Sequence, residues 1–304
     1  MSKFLITGGT GFVGQQIVQD LENNEKCESI IITTRQQDLD GKTQGKVTYV
    51  LWDPLKNAPI KQDLSSVTTV INLMGENISS GRWSEERKKR IYQSRIDGTK
   101  NLVSLVKESC PALKSFVSTS AIGIYTPNTD EVIDEDTKTS NDQFLSKVCT
   151  DWEATLSELS DSIRTVIIRV GVVLDSDGGA IAKMKIPFLL GVGGILGDGK
   201  QFMSWIHRKD LSKIYIEASL NSEMSGAYNG VAPQPVTNQT FTKVLGSVIK
   251  RPTIFPVPGF ILKLIFGDMA SILLDGHRVI PRKLNEQKFE FNFPDIRSAF
   301  QNIF

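Results

Sequence analysis

The stretch ITGGTGFVGQQIVQDL, running from Ile6 to Leu21, decides how the rest of the chain is read. Just before it, KFLIT (Lys3–Thr7) supplies the short, continuous apolar run of a buried strand. After the glycines, Phe12, Val13, Ile17, Val18 and Leu21 fall on one helical face. Gly8, Gly11 and Gly14 thus sit between a strand and a helix, the context that separates a dinucleotide loop from a chance glycine string. Gly8 permits the tight turn, Gly11 lets backbone approach a pyrophosphate, and Gly14 lets the helix pack closely on the strand. The N–H groups around Thr10, Gly11, Phe12 and Val13 are then expected to face phosphates at a helix start.

The pattern extends outward. SIIITTR, KVTYVLW, TTVINLMG, SFVSTS and RTVIIRVGVVL read as further buried strands. Amphipathic segments separate several of them, including a long helix from about Ser84 to Ser109 and a helical DQFLSKVCTDWEATLSEL. Continuous apolar strands alternating with helices indicate a parallel sheet covered on both faces, an α/β doubly wound Rossmann fold. After Leu174 the chain becomes glycine-rich, with a loop and a helix expected over the sheet's carboxyl edge. DLSKIYIEASL and GAYNGVAP read as a return to the sheet, and the chain is mainly helical from TNQTF onward. The expected organisation is a cofactor domain over 1–175, its sheet completed within about 210–232. A smaller, mainly helical substrate region over 176–304 is interleaved with it.

The second strand ends in Thr34-Arg35, about twenty residues past Gly14. A carboxylate there would bind a ribose 2′-hydroxyl, whereas an arginine matches a 2′-phosphate, so the expected cofactor is NADP(H). Leu73, Met74 and Gly75, closing the fourth strand, form an expected floor under the adenosine ribose. Asp53 could reach the adenine amine, and a turn at Asp53-Pro54 explains it equally well. Ser118 and Ser120, at the end of the fifth strand, are candidates for contacting cofactor and substrate, respectively. Gly171 and Val172, where the sixth strand passes the cleft, are expected beside the nicotinamide amide.

Composition narrows the function. The 304 residues carry a net charge of +1, which provides no field for nucleic acid or an acidic membrane. EERKKR (Glu85–Arg90) mixes both signs and reads as a solvated helix face. Phe260–Leu274 is too short to cross a membrane and reads as one or two packed helices, with Phe260, Ile261, Leu264 and Ile265 at helical spacing. Cys27, Cys110 and Cys149 are scattered, as expected for free buried thiols in a reducing compartment, with the chain expected to be cytoplasmic, or organellar after loss of a targeting segment, and no metal-ligand spacing is present. The expected partners are a small-molecule substrate and a second copy of the chain in a homodimer.

The chemistry is less plain. Short-chain dehydrogenases place a tyrosine and a lysine one turn apart on the helix after the serine strand, where lysine and the positive nicotinamide make the phenol an acid or base. Here Phe144 stands about where the tyrosine is expected, and Lys147 is one residue short of the spacing. Other proton carriers are His207, as a replacement acid or base or as a loop-fixing histidine, and Tyr125. Trp205 is either an apolar wall for the substrate or core. Glu153 is expected to cap or pair on its own helix.

The strings GGTGFVG, INLMGENI, GRWSEERKKRI, SRIDGT, VCTDWE, RVGVVLDSDGGA, GVGGILGDGKQFMSWIHRKDL, NGVAPQPVTNQTF and FGDMASILLDGHRVIPRKL span nearly the whole chain. On these the sequence resembles the extended, atypical short-chain dehydrogenase/reductases, in the subgroup called epimerase family, with a C-terminal helical domain. The resemblance implies NADP binding, with Thr34, Arg35, Leu73, Met74 and Arg95 lining the site. It also implies that loss of the usual tyrosine is typical. Two readings of function remain open: an NADP(H)-dependent oxidoreductase or nucleotide-sugar-epimerase-like enzyme, or an NADP(H)-binding sensor or scaffold without catalysis.

Overall fold

A computed structural model describes residues 1–56, 59–127 and 131–304. The strands are β1 (Ser2–Thr7), β2 (Cys27–Thr34), β3 (Thr43–Gln44), β4 (Val47–Leu51), β5 (Thr69–Asn72), β6 (Ser115–Ala121), β7 (Arg164–Val170), β8 (Val172–Asp175), β9 (Phe202–Met203), β10 (Trp205–His207), β11 (Gly226–Gly230) and β12 (Val236–Thr237). The helices are α1 (Phe12–Glu22), α2 (Glu85–Ser109), α3 (Phe144–Ala154), α4 (Gly179–Leu189), α5 (Arg208–Leu220), α6 (Asn238–Ile249), α7 (Gly259–Phe266), α8 (Ser271–Leu274), α9 (Arg282–Glu286) and α10 (Ile296–Ile303).

Eight strands form one sheet in the order β11-β7-β6-β5-β1-β2-β4-β3, parallel except for the short antiparallel edge β3. Strand order reverses between β1 and β5, and open parallel sheets bind ligands at such a switch point. Successive residues along each strand supply opposite faces. Phe4, Ile6, Ile71 and Val117 pack in one core with Ile17 and Leu21 of α1 and Ile214 and Tyr215 of α5. Leu5, Val70 and Phe116 pack in another with Leu102, Val103 and Val106 of α2. This two-sided burial is why the strands read as unbroken apolar runs.

The sequence expectations need adjustment at three elements. The sixth strand is split at Gly171 into β7, which stays in the sheet, and β8, which leaves it to pair in parallel with β10. A Cβ on Gly171 would collide with the Ser204 carbonyl, so this crossing requires glycine. DLSKIYIEASL is helix α5, and only GAYNG, as β11, returns to the sheet beside β7. Phe260–Leu274 is helical as expected but not packed as expected: Leu262 is buried, while Phe260, Leu264 and Ile265 face solvent. An apolar 3.6-residue repeat specifies a helix without specifying what covers its face.

A further core joins β8 and β10 to the C-terminal helices, with Leu174, Trp205, Phe241, Leu245 and Phe300 in contact. All three cysteines are free and buried. Among the described residues no helix is long and apolar enough to cross a membrane.

Candidate functional site

The glycine loop has the geometry its sequence predicts. Gly8 adopts φ +72°, a conformation that L side chains rarely take, and a Cβ there would meet the Leu73 carbonyl oxygen at 2.9 Å. A Cβ on Gly14 would collide with the Gly8 carbonyl oxygen and stand 2.7 Å from the Gly9 Cα. Gly14 is therefore a packing glycine. Gly11 is the N-cap of α1 and provides no side-chain cap, and the first turn contains no acidic residue. The Gln15 N–H bonds to the Gly11 carbonyl at 2.9 Å, leaving the earlier N–H groups of the helix start for an anion or water.

The loop forms one wall of a cavity of about 270 Å³. Gly8, Thr10 and Gly11 face Thr34 and Arg35 at the end of β2, with Asp53 after β4 and Leu73–Gly75 after β5. Asp53 accepts the Leu55 N–H at 3.1 Å, forming the turn expected at Asp53-Pro54 while also lining the cavity. Arg35 is exposed and makes no side-chain ion pair or hydrogen bond among the described residues. No carboxylate occupies the β2 terminus.

Leu73, Met74 and Gly75 also border a second cavity, of about 430 Å³, so the two spaces adjoin across these residues. Arg95, Ser120, Gly171 and Val172 line it. Arg95 reaches it from α2, donating through Nη1 to the Glu76 and Ile91 carbonyls, each at 3.1 Å, and lying over the Trp152 ring. Burial lowers its pKa. A Cβ on Gly75 would stand 2.9 Å from Arg95 Nη2, so that glycine gives the guanidinium its place. Ser120 Oγ is buried and has no hydrogen-bond partner of normal geometry among the described residues. It lies beside the Cys149 thiol, which burial pushes up to about 11.

Several expected site residues are elsewhere. Ser118 is fully buried, accepting from Asn72 Nδ2 at 3.2 Å, in a network where Thr7 and Thr99 also hold the Asn72 amide. That network ties β1, β5 and β6 together under the cavities. Phe12 and Val13 offer backbone at the helix start, but the Phe12 ring turns away under the Arg208 guanidinium, 4.9 Å from the ring centroid. His207 is 1 % exposed, accepts the Lys209 N–H through Nδ1 at 3.1 Å as the N-cap of α5, and stacks on Phe293. Burial pulls its pKa down to about 4, and it borders neither cavity, so it caps a helix instead of moving protons in the cleft. Tyr125 is also 1 % exposed; its hydroxyl donates to Asn229 Oδ1 and accepts from Arg169 Nη1, both at 2.9 Å. The cleft sees neither its hydroxyl nor Trp205, which is wholly buried with its indole N–H on the Gln234 carbonyl. Glu153 pairs across to Arg169 on β7 at 2.8 Å, not along its own helix.

Helix α3 corrects the placement of the missing acid–base pair. Phe144 packs edge-on against Trp83, and Lys147 points outward to Asp151 at 3.0 Å. The α3 residues that border the second cavity are Leu145, Val148, Cys149 and Trp152, with Leu145 and Cys149 four residues apart, the spacing of the usual tyrosine and lysine. The sequence reading also missed Gln201, Asn238 and His277. His277 donates from Nε2 to the Tyr125 carbonyl at 3.1 Å, and burial lowers its pKa. For Leu145 and Cys149 the four-residue spacing was a usable signal. The other three lie on loops or at a helix start, where no periodicity points them inward. Among the described residues no cluster of three His, Cys, Asp or Glu side chains could hold a metal.

A glycine-turn Rossmann sheet with a cavity at its switch point and a second cavity beside it defines a dinucleotide-binding class of protein. Residues 4–229 match the NAD dependent epimerase/dehydratase family, and residues 257–303 match a domain of unknown function, DUF1731. The chain belongs to the NAD dependent epimerase/dehydratase family. It is 34% identical over 304 residues to the epimerase family protein SDR39U1 of Mus musculus, covering 99% of each chain. It is 36% identical over 303 residues to the chloroplastic SDR39U1 homolog of Arabidopsis thaliana, covering 98% of this chain and 85% of the other. The crystal structure of human SDR39U1 (isoform 2) with NADPH superposes with a TM-score of 0.89 at 34% identity, covering 99% of this chain and 98% of that one.

Proposed function

We propose that the protein binds NADP(H) across the glycine loop and acts as an oxidoreductase or epimerase-like enzyme on a small molecule held in the second cavity. The observation that carries this reading is that the two cavities share the Leu73–Gly75 border, with the Arg35 side chain free of ion pairs and hydrogen bonds among the described residues in the first, and the buried Ser120, beside the Cys149 thiol, lining the second. Arg35 and Thr34 would hold the 2′-phosphate, and the open start of α1 the pyrophosphate. The NADPH in the human relative's crystal structure supports the same cofactor. Bound NADP(H) would supply or accept hydride. Ser120 would orient a substrate carbonyl or hydroxyl by hydrogen bonding, taking the role that strand position suggested. The Cys149 thiol stays protonated at neutral pH and can donate but not act as a base. The division into a cofactor part over 1–175 and a substrate part over 176–304 belongs to this reading.

The second reading, a cofactor-binding sensor, is favoured by Leu145 and Cys149 standing where a proton-transferring pair would face the cleft. Titrating NADPH and NADH into purified protein tests the cofactor. Arg35→Ala is expected to weaken NADPH by roughly tenfold or more and NADH little, since a charge-assisted phosphate contact is worth about 1.5–3 kcal/mol. Equal loss for both would refute the assignment. Turnover at 340 nm that Ser120→Ala abolishes would rule out the sensor.

A further inference from the structure

The exposed apolar face of α7 continues beyond that helix. Phe260 and Leu264 share it one turn apart, Ile254 and Phe255 precede it, and Ile186 and Leu190 come from the end of α4. Leu190, Ile254, Phe260 and Leu264 are 72 to 74 % exposed, far more than a packed face allows. Backbone contacts hold these segments side by side. Arg251 donates from Nε to the Leu189 carbonyl at 2.8 Å, the Val257 N–H bonds to the Ile195 carbonyl at 2.8 Å, and a Cβ on Gly194 would collide with the Phe255 carbonyl. Pro258 is then the N-cap of α7. Soluble chains rarely leave so many apolar side chains together in water unless something covers them.

Charge decides between the possible occupants. The whole chain is nearly balanced, with 35 lysines and arginines against 34 aspartates and glutamates. Residues 179–197 and 249–267 carry Lys183, Lys185, Lys250, Arg251 and Lys263 and no carboxylate. Spread evenly, the acids of the chain would put about four there. Lys185, Lys250 and Lys263 have no ion pair among the described residues, and the next carboxylate along the chain, Asp268, is paired with Lys88 at 2.9 Å. A second copy facing this surface would bring the same cations and nothing to pair with them. A peptide helix or strand would need a groove or a sheet edge, whereas these side chains project from two helices and a loop. An anionic bilayer meets both features: the apolar side chains enter the headgroup boundary while the lysines and the arginine stay at the charged surface. Helix α4 also presents Ala180 and Met184 to the second cavity, so it borders both that cavity and the outer face. We infer that this face seats on a membrane surface rich in anionic phospholipid, without spanning it. The net charge of +1 conceals the site, because a global field sums the whole chain, whereas the cations of the patch act within a Debye length of the surface. The inference does not depend on the NADP(H) reading.

The test is co-sedimentation of the full-length protein with vesicles of phosphatidylcholine, alone or with about one-third phosphatidylserine. The mixed vesicles are expected to bind roughly tenfold tighter or more, since each lysine or arginine near an anionic surface contributes roughly fivefold. Raising the salt from about 0.1 M to about 1 M should remove most of that preference. Lys250→Gln with Lys263→Gln should weaken binding to the mixed vesicles roughly tenfold or more. Phe260→Ser with Leu264→Ser should abolish it. All four positions are exposed, so both variants should keep the parent's melting temperature. Should the serine variant not fold, Leu190→Ser with Ile254→Ser takes its place with the same expectation. Val132→Ser, which alters an exposed apolar side chain elsewhere, should bind as the unaltered chain does. Sedimentation with neither vesicle, equal binding to both, or binding that survives the serine substitutions would overturn the inference. A concentration-dependent dimer that the same substitutions dissociate, with no vesicle bound, would overturn it in favour of a second copy.

Discussion

His207 shows how a single residue type is misread without its surroundings. A histidine in a sequence suggests proton transfer near neutral pH, because its ordinary pKa lies there. Buried at the start of α5, its neutral ring makes the capping bond, and protonation is penalised. The folded pKa, about 4, lies below the unfolded value near 6.5. The unfolded chain therefore binds the proton first, and stability is full above about pH 6.5 and falls as the pH drops toward 4. The whole span is worth on the order of 3 kcal/mol. His207→Asn keeps a capping oxygen and should flatten the slope of melting temperature against pH in that window. His277, also lowered by burial, should leave a residual slope of the same sign. A variant with an unchanged slope would contradict this account. By contrast, Gly8 and Gly14 were legible at this scale, since each demands glycine for a local reason visible from its place between strand and helix.

At the scale of elements, the sequence spoke clearly wherever burial was two-sided and periodic. β1, β2, β5, β6 and α2 lie close to where the sequence reading puts them, and the Ser84 side chain caps α2 by accepting the Arg87 N–H. It was nearly silent about which long-range polar partners meet. Tyr125, Glu153, Arg169 and Asn229 come from four separate segments and form one buried network, and nothing in their spacing announces it. The network distinguishes a structural from a catalytic Tyr125. Burial alone would lower the Arg169 pKa, but the Glu153 carboxylate outweighs it and holds the guanidinium charged. Glu153→Gln leaves that cation uncompensated and should cost about 3–5 kcal/mol in chemical denaturation. Tyr125→Phe removes a neutral hydroxyl that donates to Asn229 Oδ1 and accepts from Arg169, and should cost about 1–3 kcal/mol. In neither variant should turnover per folded molecule change. A selective loss of turnover in Tyr125→Phe would return that residue to the chemistry.

For the molecule as a whole, the two cavities differ in where their walls are encoded. Described residues lining the first cavity all lie between Gly8 and Ser94, whereas the second adds residues from Ala180 to His277. On the proposed reading, the wall that sets cofactor preference lies within one stretch, whereas the substrate wall is assembled from both parts of the chain, from Thr119 to Val172 as well as from Ala180 to His277. Divergence after duplication could therefore retune one preference while the other stays fixed. A chimera in which residues 119–304 are replaced by the corresponding stretch of the Mus musculus relative should keep this chain's ratio of NADPH to NADH affinity and acquire the donor's ligand profile. If the nucleotide ratio moved instead, the two preferences would be inherited together.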